Sequence, residues 1–126
     1  MAIELGSGWR ADLDRGPEWL FVRLHSCPES LNNANLAGAI WELLETEFTK
    51  RVVLELDELP VLPSHLIGEI VRLHKRVQSR GGMMRLCGLS DANQEVLRIN
   101  RLAERFPQYR TRYEAVMGGY RPRQPR

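Results

Sequence analysis

The stretch from Arg51 to Cys87 constrains the fold more than any other part of the chain. It begins with an apolar run, RVVLEL, whose length and β-branched residues are typical of a buried strand. Two prolines then mark a turn, and apolar residues spaced by three and four predict an amphipathic helix from about Ser64 to Ser79. A Gly-Gly pair ends that helix, and MMRLC follows as a short apolar strand. This order predicts a β-α-β unit with a hydroxyl at the start of its helix.

Two further patterns precede this unit. The alternation of apolar and polar residues over Trp9–Leu13 and the β-forming run Trp19–Leu24 predict two strands of a hairpin, separated by Gly-Pro. After them, apolar spacings of three and four predict a helix that ends near Phe48. Asn32 or Asn33 is the expected N-cap of that helix, because an Asn side chain accepts a hydrogen bond from the free amides of a first turn.

Shorter elements follow the β-α-β unit. Ser90 or Asp91 is expected to cap a third helix that ends near Ile99. The segment 106–109 is predicted as a final edge strand, and Thr111 as the cap of a last short helix. The chain therefore alternates between strands and helices to its end.

Some polar residues lie inside these elements. Glu55 interrupts the apolar strand, so one end or face of that strand is expected to meet solvent or a loop. His74 lies among basic residues of the second helix and is expected at the surface. The basic row of that helix predicts a solvated face, with contact to an acidic partner or to lipid headgroups as the alternative. The row consists of Arg72, Lys75, Arg76 and Arg80.

Strands that alternate with helices through short connections predict an α/β fold. The expected architecture is a mixed sheet of four to five strands, with about four helices packed mainly on one side. Its 126 residues suffice for a single core, so we expect one domain over 9–117. Residues 1–8 are then an N-terminal lead, and the Gly- and Pro-rich segment 118–126 is expected to be a disordered basic tail.

Charge and composition narrow the classes of function. Three of the 18 basic residues lie in the tail, which leaves 15 against 16 acidic residues in the body, so no basic face for nucleic acid is indicated. No window approaches the about 18 apolar residues of a spanning helix, and the N-terminus lacks the pattern of a signal peptide. A cytoplasmic protein without membrane insertion is expected.

Cys87 is predicted as a buried apolar residue, whereas Cys27, in a polar loop, could be a free thiol.

The order of elements, together with two segments, resembles the STAS domain of anti-sigma factor antagonists, the bacterial anti-anti-sigma factors. The segments are RVVLELDELPVLPSHLIGEIVRLHKRV and RGGMMRLCGLSDANQEVLRINRLAERFPQY. The resemblance covers roughly residues 9–117 and implies the mixed-sheet STAS fold. It also implies a partner protein, a serine kinase that is itself an anti-sigma factor and whose capture frees a sigma factor for transcription.

In that family, the loop after the third strand typically carries Asp-Ser-Ser-Gly or Asp-Ser-Thr-Gly, and the partner kinase phosphorylates the first hydroxyl. The match places Pro63 at the Asp, Ser64 at the phosphorylated hydroxyl, His65 at the second hydroxyl and Leu66 at the Gly. The hydroxyl alone remains of those four, so the phosphorylation loop is degenerate. Gly68 keeps a later small position.

The resemblance implies a docking surface formed by the phosphorylation loop, the start of the second helix and the loop before the first helix. Its candidate residues are Asn32, Asn33, Pro63, Ser64, His65, Leu66, Ile67 and Gly68. Two interpretations of Ser64 remain open at this point: a phosphate acceptor at a helix N-terminus, or a plain helix N-cap.

The sequence carries no motif of a known enzyme class. It has no P-loop, no nucleophile elbow and no paired metal-ligand spacing, so neither a metal nor another cofactor is expected. The chain is interpreted as a non-enzymatic signalling module. Two alternatives are a STAS adaptor that is not switched by phosphorylation, and a soluble STAS subunit of a membrane lipid-transport ABC complex. The oligomeric state is left open.

Overall fold

The computed structural model describes residues 2–4, 9–25, 35–107 and 109–117, and these form a sheet with helices on both of its faces. The strands are β1 (Ala2–Glu4), β2 (Arg10–Arg15), β3 (Leu20–His25), β4 (Arg51–Glu55) and β5 (Met83–Cys87). The helices are α1 (Leu36–Thr46), α2 (Ser64–Ser79), α3 (Asp91–Ile99) and α4 (Arg112–Val116). The architecture predicted from the sequence is confirmed.

The strands are arranged in chain order, β1 to β5. Strands β1, β2 and β3 pair antiparallel, which confirms the predicted hairpin, and β3, β4 and β5 pair in parallel. Because β4 and β5 are parallel, α2 has to cross over between them, and both strands end at the same edge of the sheet. That edge also carries the loop that leads to Ser64. Strand β1 was not predicted, since three residues are too few to show a period of two.

The main core lies between the sheet and three helices. Alternate residues of β3 and β4, such as Val22 and Leu54, are fully buried on this face. The predicted apolar stripe of α2 is confirmed, because its members are all buried in the same cluster. These members are Leu66, Ile70, Leu73 and Val77. The opposite face of the sheet carries a smaller cluster around Phe21 and Val53, where Ala115 of α4 packs.

The N-terminal caps of the later helices agree with the sequence predictions, whereas the cap of α1 does not. Ser90 and Thr111 cap α3 and α4 as predicted, each accepting from the amide three residues later. Helix α1 is instead capped by Asn35, whose Oδ1 accepts from the Gly38 amide at 3.1 Å. The prediction of Asn32 or Asn33 as the cap is therefore wrong, since the helix starts only at the first buried apolar residue. Both asparagines lie outside the described residues, as does Cys27.

Two expectations, about His74 and about the last strand, were wrong. His74 is 7% exposed rather than at the surface, and its ring lies edge-on to Phe106 with 4.8 Å between centroids. Glu55 itself is 3% exposed, whereas Arg51 at the other end of β4 is exposed, so one end of that strand meets solvent as expected. The predicted edge strand is reduced to a single bridge between Cys87 and Tyr109.

Candidate functional site

The connection from β4 to α2 is anchored by apolar side chains and by one buried amide. Leu59 and Leu62 are 3% and 4% exposed. Asn93 of α3, which is 2% exposed, donates from Nδ2 to the Leu59 carbonyl at 3.1 Å and accepts the Leu62 amide on Oδ1 at 3.2 Å. Because both halves of the amide are paired with the backbone, α3 anchors the loop at Leu59 and at Leu62. Asn93 thus positions the segment that delivers Ser64.

Sequence reasoning missed Asn93, although a signal was present. It precedes the buried Leu97 by four residues, which places it on the inward side of α3. A polar residue at a core position of a helix normally requires a specific partner. Which backbone groups it meets, however, depends on how α3 packs against the β4–α2 loop.

Ser64 is the first residue of α2 rather than its cap. Pro63 occupies the cap position with φ −67° and ψ 155°, and no side chain caps the helix. The interpretation of Ser64 as a plain N-cap is therefore wrong. Its side chain is exposed and makes no hydrogen bond to any described residue. The hydroxyl has no structural task within the described chain and lies at the positive end of a 16-residue helix.

The neighbours of Ser64 divide between surface and core. Gly68 is exposed, and a Cβ built on it would meet no atom within 4 Å. His65 and Ile67 are half-buried, and the His65 ring lies edge-on to Trp9 with 6.5 Å between centroids. Leu66 is fully buried, so it is withdrawn from the predicted docking residues.

The exposed and half-buried residues around the hydroxyl form what we call the Ser64 surface. Val61, three residues before Ser64, is 64% exposed and adds an apolar side chain that was not predicted. The surface consists of Val61, Pro63, Ser64, His65, Ile67 and Gly68. It combines apolar and small side chains with one hydroxyl that makes no hydrogen bond to a described residue.

The start of α1 lies beside this surface. Glu69, in the second turn of α2, accepts the Ala37 amide on Oε1 at 2.8 Å, so that α2 supplies a cap to α1. Asn35, where the described part of the preceding loop begins, is exposed next to this contact. The structure therefore places Asn35 and the start of α1 next to the second turn of α2, while Asn32 and Asn33 lie outside the described residues.

The opposite face of the sheet carries a charged cleft of about 560 Å³ under α4. Arg112 donates to both oxygens of buried Glu55, at 2.6 and 2.9 Å, and to Asp14 at 2.7 Å. These bonds raise the pKa of Arg112 and lower that of Asp14. Burial, reinforced by Glu55, raises the pKa of the Cys87 thiol to about 12. The cluster attaches α4 to the sheet, since its carboxylates and guanidinium pair with one another.

Two features of the described residues bear on other kinds of site. No helix among them has the length and apolar character needed to cross a bilayer. Within the same residues, no group of His, Cys, Asp and Glu side chains is arranged to hold a metal ion.

The family model of the STAS domain matches residues 13–115. The chain belongs to the STAS domain family. No curated protein sequence matches the chain significantly.

Several solved structures share the fold of this STAS domain. A putative anti-sigma factor antagonist from Thermotoga maritima superimposes with a TM-score of 0.67 at 18% identity, covering 88% of this chain and 95% of the other. An anti-sigma factor antagonist from Mycobacterium paratuberculosis gives 0.70 at 14% identity, with coverage of 91% and 97%. A STAS domain protein from Planctomyces limnophilus gives 0.60 at 20% identity, with coverage of 86% and 97%. The STAS fold implied by the sequence resemblance is thus confirmed.

Proposed function

We propose that this STAS domain is a protein-docking module of bacterial signalling that acts as an anti-sigma factor antagonist. It binds a serine-kinase anti-sigma partner through the Ser64 surface, works in the cytoplasm and catalyses no reaction itself. The observation that carries the proposal is the exposed Ser64 hydroxyl at the start of α2, which makes no hydrogen bond to the described part of the chain. The buried Asn93 supports it by anchoring the adjoining loop to α3.

Phosphorylation of Ser64 provides the switch in this proposal. A phosphate at a helix start is stabilised by the free first-turn amides and by the helix dipole, so the modified loop stays folded. The phosphate adds roughly −1.5 to −2 charges next to Val61 and Ile67. A partner that buries these apolar side chains would then have to desolvate the charge, which weakens the complex.

The departures from the usual phosphorylation loop bear on the switch more than on docking. Leu66 replaces a Gly, but its side chain points into the core and leaves the surface unobstructed. Pro63 replaces an Asp, so any contact that a carboxylate makes with the kinase is lost. The non-switching adaptor therefore remains the competing form of the same docking function. Mass spectrometry of the protein from its native cells separates the two, because the adaptor carries no phosphate on Ser64.

Binding to anti-sigma kinases from the source genome tests the proposal. Calorimetry compares Ser64→Asp with Ser64→Asn, which has the same shape without the charge, and with Ser64→Ala. We expect the neutral variants to bind like the wild type and Ser64→Asp to lose about tenfold or more in affinity, since a charge enters an apolar interface.

Equal affinities of the Asp and Asn variants would remove the switch and leave the adaptor. Failure of every kinase to bind the wild-type protein would refute the docking function itself. Affinity capture from native membranes adds a further outcome: recovery of a transporter ATPase would replace the proposal by the lipid-transport alternative.

A further inference from the structure

A second cleft lies at the other end of α2 from the Ser64 surface. The helix has 16 residues and is therefore about 24 Å long, and α1 ends at the same edge of the domain. Between the two helix ends is a cavity of about 320 Å³. We call it the Trp41 cleft, and it is lined by Trp41, Leu44, Glu45, Phe48, Lys50 and Arg80.

Phe48 at the rim of this cleft is 93% exposed in a backbone conformation that favours glycine. Its φ is +56°, and its amide donates to the Glu45 carbonyl while the Thr49 amide donates to Leu44. This hydrogen-bond pair is a Schellman motif, in which the position of Phe48 is usually occupied by Gly. Helix α2 ends in the same motif with Gly81 at that position. An exposed phenyl ring here contributes nothing to the core of the folded chain.

Trp41 forms the floor of the cleft and has an unpaired donor. The residue is 5% exposed, and its Nε1 is buried without a hydrogen-bond partner among the described residues. The guanidinium groups of Arg76 and Arg80 lie over its ring, 5.0 and 5.8 Å from the centroid. That nitrogen is enclosed by the fold, so Trp41 serves as the floor of the cleft, and the exposed groups around it are left to contact a ligand.

The charge around the cleft is predominantly positive. Lys50, Arg76 and Arg80 form no ion pair within the described chain, and Glu45 is the acidic residue in the lining. These cations include two members of the basic row predicted on α2. Arg72, which belongs to the same row, is instead paired with Glu69. The cations next to the cleft are therefore available to a ligand of opposite charge.

We propose that the Trp41 cleft is a second docking site, which binds a short acidic segment of a partner protein. An apolar side chain of that segment packs against Phe48, and its carboxylates pair with Lys50 and Arg80. An anionic membrane fits less well, because the site is concave and contains Glu45. The proposal is independent of the Ser64 surface, so either site can fail without the other.

Titration of isotope-labelled protein, followed by NMR, tests the site directly. The probe is a synthetic peptide with leucine and phenylalanine flanked on both sides by glutamate, and its control has glutamine in place of glutamate. We expect a saturable shift of the Trp41 indole signal and of the amides at Thr49 and Lys50 with the acidic peptide alone. Salt should weaken this binding, because the exposed ion pairs are screened.

Matched variants separate docking from folding. Phe48→Gly and Arg80→Gln should each weaken binding by about tenfold, as loss of an apolar anchor or of a charge pair does. Two variants serve as controls. Arg101→Gly relieves a positive φ of +62° at the end of α3, as Phe48→Gly does at the end of α1, and Lys75→Gln removes a charge on α2 outside the cleft. Both controls should bind like the wild type.

Three results would overturn the proposal. One is a Trp41 shift that is the same with both peptides or unchanged in the Phe48 and Arg80 variants. Another is binding to phosphatidylglycerol-containing vesicles without binding to the peptide, which would make the cleft a membrane contact. The third is a concentration-dependent Trp41 shift in the protein alone, which would make the occupant a second copy of this chain.

Discussion

Replacing Arg112 by Met should destabilise the domain strongly, although the residue is partly exposed and lies in the short helix α4. Its guanidinium forms two hydrogen bonds with Glu55, which is 3% exposed. The guanidinium carbon of Arg112 lies 4.3 Å from the centroid of the Phe21 ring. Methionine keeps an apolar contact over that ring. The variant therefore removes the charge and the hydrogen bonds while it largely preserves packing.

The magnitude follows from what remains around Glu55. Breaking a buried ion pair by removing one partner costs about 3–5 kcal/mol. Arg23 remains with its Nη2 3.6 Å from Glu55 Oε1, so we expect the lower end, about 3 kcal/mol. For a domain of this size, that free energy corresponds to a fall of about 12 °C in Tm. The double variant Glu55→Gln, Arg112→Met should recover most of the loss, because it leaves no buried charge unpaired.

Urea unfolding followed by tryptophan fluorescence measures these differences. Arg110→Met is the matched control, since Arg110 is exposed two residues away, and it should change the free energy of unfolding by less than about 0.5 kcal/mol. Equal losses for Arg112→Met and the control would refute the reasoning. A double variant that is less stable than Arg112→Met would do so as well.

Three further predictions concern single residues. Gly82→Ala should lower the free energy of unfolding by about 2 kcal/mol, because the new Cβ would overlap the Lys50 carbonyl oxygen and separate β4 from β5. An unchanged midpoint of urea unfolding would contradict this. The Cys87 thiol, whose pKa burial raises to about 12, should resist iodoacetamide in the native protein at neutral pH and react after unfolding. Burial, with a smaller effect of Arg105, lowers the pKa of His74 below 6.5. Because the unfolded chain then binds the proton more tightly, stability should fall as the pH drops below 6.5, and His74→Leu should remove that part of the pH dependence of Tm.

The local patterns were sufficient for most of the fold. The period of α2, the β-branched run of β4 and the Gly pair after α2 each constrain a few neighbouring residues, and the structure confirms the elements they predict. Strand β1 was missed because three residues carry no readable period. The cap of α1 was misplaced because several asparagines precede that helix, and the choice among them depends on where its first apolar residue meets the core.

For the candidate site as well, the sequence predicted the local features, and the folded chain decided which residues are exposed. The sequence marked Ser64 as a hydroxyl at a helix start, but two states of such a hydroxyl, capping and free, look alike in a sequence. Pro63 takes the cap position in the folded chain, which leaves Ser64 exposed. Leu66 belonged both to the predicted core-facing stripe of α2 and to the candidate docking residues, and in the folded chain it is fully buried.

By itself, then, the sequence determined which segments become strands and helices, and with them the STAS fold, because these depend on periodicity and on interactions between near neighbours. The tertiary structure alone decided where the buried polar groups lie. Glu55 beneath Arg112 and Asn93 against the Ser64 loop join residues more than thirty positions apart. A burial that depends on such a distant partner leaves no local pattern, because its desolvation cost is offset only when the chain has folded.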